Sequence, residues 1–218
     1  LFAKEVLTAG ANLQILENRA QAVFGTSFPA MENAAQRMAQ EFGRGSSSMM
    51  EMQAQFGGIV TGMGISGRKM SEMVEATTRL TVGMQNAFGL SSQEAVQAIS
   101  QGLLGAGKGL KAYGVILPDV NSSMSEAEKI QANYNYLLER GEELGWNNAA
   151  STRTFWGEVE KLKDSWGDFL ETVAQTGALT AASFAVETLA QTFRTLASPI
   201  DSATLALSKL GAMIGSVF

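Results

Sequence analysis

Apolar residues in this chain recur at steps of three and four, and nowhere do they alternate over a convincing stretch. Steps of three and four put side chains on one face of a helix, whereas a half-buried strand needs a period of two. The clearest run is Phe155, Val159, Leu162, Trp166, Phe169 and Val173, with Glu158, Glu160, Lys163, Asp164, Asp168 and Glu171 around it. This heptad seam predicts a helix over 149–175. About two heptads are too few to demand a coiled coil, so the helix is expected to pack on a bundle. A second stripe, Met70, Met73, Thr77, Leu80, Met84 and Ala87, predicts a helix over 67–88 with Gly89 as its C-cap.

Start and stop signals place the other helices. Ser91 with Glu94, and Ser125 with Glu128, have capping-box spacing and open helices running to about Leu104 and Arg140. Residues 28–42 have Ser27 to cap, Pro29 in the first turn and Gly43 to stop. Residues 2–23 carry Phe2, Val6, Leu13, Leu16, Ala20 and Val23 near one face, with Gly10 as an interruption. Three prolines and 30 alanines in 218 residues agree with long helices. Residues 49–63 are ambiguous: Phe56–Ile65 could pass for a short strand but holds four glycines. The methionines at 49, 50, 52, 63, 70 and 73 read as flexible core filler rather than a binding groove. Arg44–Ser48 reads as a small polar loop.

The expected fold class is all-α: a compact multi-helix bundle of short to medium helices with Gly-rich connectors, followed by an apolar helical hairpin. Three blocks are expected. Residues 1–121 form an N-terminal helical block, 122–175 a capped helix pair with the heptad seam, and 176–218 an apolar helical segment, truncated. Ala178–Ala197 is 20 residues long but contains Glu187 and Arg194, and Ala203–Phe218 contains Lys209. Each charge costs about 2.5–3.5 kcal/mol at mid-bilayer, which favours docking over insertion. The chain starts at Leu1 and ends in an apolar stretch, which reads as part of a longer protein without a signal peptide.

Composition narrows the chemistry. Cys and His are both absent, which removes disulfides, thiolate nucleophiles, Cys/His zinc sites and histidine bases. A net charge of −5 argues against a strongly basic nucleic-acid-binding domain. Charged residues are 17%, low for a soluble domain at roughly 25%, so the surface is polar through Ser, Thr, Gln and Asn or is covered by neighbours. Two loops match nucleotide-binding patterns only by letters. Gly62-Met63-Gly64-Ile65-Ser66-Gly67 has no βαβ unit around it, and Gly102–Gly109 has glycine where a phosphate-binding loop needs Ser or Thr. The carboxylate pairs Glu126/Glu128, Glu142/Glu143 and Glu158/Glu160 face no identifiable cleft. Glu160 with Lys163, and Lys161 with Asp164, read as surface pairs. No catalytic, cofactor-binding or metal residue is assigned, and no cofactor is expected.

Several weak motifs in a fixed order carry a resemblance. They are Ala87-Phe88-Gly89-Leu90-Ser91-Ser92-Gln93-Glu94-Ala95, then Ile99–Gly105, then Leu110-Lys111-Ala112-Tyr113-Gly114-Val115, then Glu128–Ala132 with Leu137–Arg140, and last Phe155–Leu170. The span from Ser66 to about Val173 resembles the helical region of phage tail tape measure proteins. Ala106-Gly107-Lys108 departs from the acidic residue common before the family's "pLkklGv" turn, which alters a loop and no site. The resemblance implies a virion structural protein, not an enzyme, that lies in the tail tube lumen or tip. It would set tail length during assembly and be ejected ahead of DNA. It implies itself as partner, in a homo-oligomer such as a trimer or hexamer, together with the tail tube protein, tail tip or baseplate hub proteins and tail assembly chaperones. The host inner membrane is a possible partner after ejection, and no specific nucleic-acid site is implied. Fully helical, 218 residues would span roughly 330 Å, but the connectors at 43–48, 105–110 and 141–148 predict a folded-back module rather than the ruler itself. The competing class is a membrane-acting helical translocator or pore-forming subunit that inserts 178–218.

Overall fold

A computed structural model describes residues 2–146 and 155–176, and within them every regular element is helical. Seven α-helices follow in order: α1 (Phe2–Phe24), α2 (Phe28–Phe42), α3 (Ser46–Gly62), α4 (Gly67–Phe88), α5 (Ser92–Leu103), α6 (Glu126–Glu143) and α7 (Phe155–Thr176). Short 3-10 segments at Gly25–Ser27 and Gly107–Tyr113 join α1 to α2 and follow α5. The all-α expectation holds. The apolar hairpin expected at 176–218 lies outside the described residues.

The end signals act as the sequence predicts. Gly43 and Gly89 close α2 and α4 in the left-handed conformation, with φ of 62° and 66°. An L-residue with a side chain adopts that region only at a cost, which is why glycine stands there. Both capping boxes form. The backbone N–H of Glu94 donates to the Ser91 hydroxyl, and the N–H of Ser91 donates to the Glu94 carboxylate at 2.9 Å. Ser125 and Glu128 repeat the pattern at the start of α6. These bonds hold both glutamates below the usual carboxylate range. Ser91→Ala should lower stability by about 1 kcal/mol. A urea titration showing no loss would contradict the capping role.

Two expectations are corrected. Residues 46–62 are one continuous helix, not a strand or an ambiguous stretch. Of its glycines, Gly57 is offset by close packing. A Cβ at Gly57 would stand 2.5 Å from Phe24 Cε1 and 2.7 Å from Val23 Cγ1, so glycine lets α1 press on α3. Likewise Gly10 does not interrupt α1; the helix runs through it, and α7 packs there, with Ala174 Cβ 3.0 Å from where a Gly10 Cβ would stand.

One main core gathers side chains from α1 to α6. The methionine cluster supplies it: Met49, Met50, Met52, Met70 and Met73 are buried, and Met63 packs against its edge. Leu137 of α6 and Trp146 belong to this same core. Trp146 sits in the turn after α6, its N–H bonded to the Gly141 carbonyl at 2.7 Å and its ring edge-on to Phe88.

The predicted stripe of α4 is buried as far as Met84, while Ala87 is exposed. The burial goes further than one stripe. Every residue from Leu80 to Asn86 is buried, because α2, α3, α5, α6 and α7 all contact this helix. Thr77, Thr78 and Thr81 are tolerated inside because each hydroxyl bonds the carbonyl four residues back at 2.8 Å. Asn133 of α6 donates to the Leu103 carbonyl at 3.1 Å and so satisfies the end of α5.

Candidate functional site

The chemistry-bearing residues that the fold brings together lie where α7 crosses α1 and the start of α3. The sequence reads Arg44–Ser48 as a polar loop. In the structure Arg44 and Gly45 are buried, and Ser46 already begins α3. Arg44 donates to Asn86 Oδ1 of α4 at 3.0 Å, and its Nη1 lies 4.0 Å from Asp164 Oδ2 of α7. Gly45, the N-cap of α3, has no side chain to accept from the helix's first N–H groups. Asp164 takes up part of that function from another helix, accepting from the Gly45 N–H at 3.2 Å. The Ser47 hydroxyl bonds the Glu171 carboxylate. Carboxylates at a helix start also meet the positive end of its dipole. The Asp164 side chain is only 10% exposed, so its reading as a surface residue is corrected.

Asp168 stands between these two carboxylates, its Oδ1 2.8 Å from where a Gly45 Cβ would be. Burial, then Glu171 and Asp164 nearby, push its carboxyl up to about 7. Burial also raises Glu171, with further contributions from Glu17 of α1 and from Asp164, against the lowering Ser47 bond. Flanking the seam is a cleft of about 300 Å³ with Leu13, Leu16, Phe28 and Met50 among its lining residues, together with Glu17, Glu32 and Glu171. A broader groove of about 840 Å³ runs between α3 and α5, polar through Gln55, Ser92, Gln97 and Gln101. No group of three or more carboxylates among the described residues is arranged to hold a metal ion.

The loops that imitate nucleotide-binding patterns are turns between helices. Gly62–Gly67 closes the α3–α4 hairpin, with Gly64 at φ 76°. Gly102, in the last turn of α5, is buried against Leu110 of the following 3-10 segment, which a side chain there would overlap. Of the carboxylate pairs, Glu126 bonds Lys129 at 2.7 Å, Glu128 caps α6 and Glu143 pairs with Arg140. The side chains of Glu158 and Glu160 lie outside the described residues.

The contact of the α7 carboxylates with the start of α3 is absent from the sequence reading, which places Asp164, Asp168 and Glu171 as charges around a heptad seam. Compared with known protein families, curated proteins and solved structures, the chain matches none.

Proposed function

We propose that this chain is a folded structural module of a phage tail tape measure protein. It would be carried in the tail tube lumen or at the tail tip and leave ahead of DNA. The observation that supports the reading is the correspondence between motif order and helix order. Ala87–Ala95 spans the α4–α5 turn with its capping box. Ile99–Gly105 ends α5, and Leu110–Val115 is the 3-10 segment with its following turn. Glu128–Arg140 fills α6, and Phe155–Leu170 opens α7. A module of this kind acts by packing and by contacts with copies of itself, the tube protein, tip or hub proteins and assembly chaperones. No catalytic residue is assigned to it. Its helices fold back on one another, so it would serve as a station along the full-length protein rather than as a measuring rod.

Cross-linking mass spectrometry of purified tailed particles tests the reading. Peptides of this chain should be present in intact tails. The exposed Lys69, Lys108 and Lys111 should link to tube or tip proteins, and the signal should fall after DNA ejection. Absence from tails, or full retention in emptied ones, would overturn the proposal. No described helix is long and apolar enough to cross a membrane. The membrane-acting alternative rests on 178–218, outside the described residues. Liposome leakage by the chain, without any tail association, would put that alternative first.

A further inference from the structure

We infer that α7 is a pH-sensitive strap, which closes over α1 and the start of α3 in mildly acidic solution and lets go as the solution becomes alkaline. The inference is independent of the tape-measure reading. Its first basis is how α7 is held. Phe169, Leu170 and Val173 form a cluster of their own with Val6, Ala9 and Trp166, apart from the main core. The apolar side chains that hold α7 are therefore separate from those that hold the body beneath it.

The second basis is what lies under the strap. Asp168 meets the carboxylates of Glu171 and Asp164 on its own helix; Glu171 in turn meets Glu17 of α1, with Glu32 of α2 lining the adjoining cleft, while Arg44 of the α2–α3 loop lies against Asp164 and Lys161 of α7 against Gly43. Among the described residues, the Gly45 N–H at the α3 cap donates to Asp164, the Ser47 hydroxyl bonds Glu171, and the uncharged Asn86 of α4 bonds Arg44. Carboxylates outnumber cations in a place where water is partly excluded, and like charges there repel more strongly than in solution. Holding one of them protonated relieves that repulsion. Asp168 is set against the Gly45 backbone, between its two neighbours in the helix.

The sign follows from linkage. The Asp168 carboxyl titrates at about 7 when the strap is closed, and at the ordinary value of 3.8 when it is released. Closing therefore takes up a proton. The stabilisation is fully present below the released value and is lost as pH rises through about 7. Release uncovers Arg44, the start of α3, and the strip of α1 around Val6 and Ala9.

Amide hydrogen exchange at pH 5.5 and 8.5, corrected for intrinsic rates, tests this. Protection of 161–175 should fall about tenfold or more at the higher pH, while α4 stays unchanged. Asp168→Asn should keep the segment protected at both values. The chain has no cysteine, so a Gly10→Cys, Ala174→Cys pair gives a single tether where α1 and α7 touch, with the two Cβ positions parting by about 0.5–1 Å to reach disulfide geometry. The oxidised pair should restore protection at pH 8.5. Equal protection of the parent chain at both pH values would overturn the strap. So would a loss that persists in Asp168→Asn, or one that persists in the tethered chain, since that would be melting of α7 rather than release.

Discussion

Gly83→Ala should destabilise the chain by about 3 kcal/mol, the upper end for forcing an extra carbon into a packed interior. A Cβ at Gly83 would overlap the carbonyl of Trp146, and the atom it meets is backbone. Trp146 cannot swing aside, because the residue is 2% exposed, its ring is edge-on to Phe88, and its backbone N–H is tied to the Gly141 carbonyl. Gly141 leaves room on the other side, where a side chain would overlap Leu80. The two glycines make one notch that seats Trp146 between α4 and α6. For an m-value near 2 kcal/mol/M the urea midpoint should fall by about 1.5 M. Gly58→Ala is the control. It makes the same chemical change in α3 with nothing within 4 Å, and should raise stability by about 0.5–1 kcal/mol through helix propensity alone. Equal effects of the two substitutions would mean that the notch is not tight.

Arg44→Ala should cost about 3 kcal/mol, at the low end for removing one partner of a buried ion pair. The guanidinium is 1% exposed and spans two helices, bonding Asn86 of α4 and facing Asp164 of α7. Its loss leaves the Asp164 carboxylate in a seam already crowded with acids. The effect should therefore be larger in neutral than in mildly acidic solution. A cycle with Asp164→Asn should show a coupling of about 1 kcal/mol or more, since the two residues share one network. Additive losses would place the value of Arg44 in its bond to Asn86 instead.

These two sites mark where the sequence stopped being legible. The helices were readable because stripes and caps are local. Met70 to Met84 repeat at the helical period, and Ser91 and Ser125 sit three residues ahead of a glutamate. Residues 46–62 were not readable, because Gly57 weakens a helix locally and only its contact with Phe24 and Val23 repays the loss. The all-round burial of α4 was hidden for a related reason. Its threonines satisfy their own hydroxyls within the helix, so polar letters stand at core positions. The seam needed a tertiary fact. Whether Asp164, Asp168 and Glu171 face water or the start of α3 depends on which helix α7 crosses, and no spacing within 155–176 encodes that.

The central proposal is that this chain is one folded station of a tape measure protein. The most direct test compares two lengths: the reading frame that encodes the segment, and the tail of the particle that carries it, seen by negative-stain microscopy. The account predicts a frame of many hundreds of residues whose length, at about 1.5 Å per helical residue, approximates the tail. A frame that ends soon after Phe218, with no tailed particle, would contradict it.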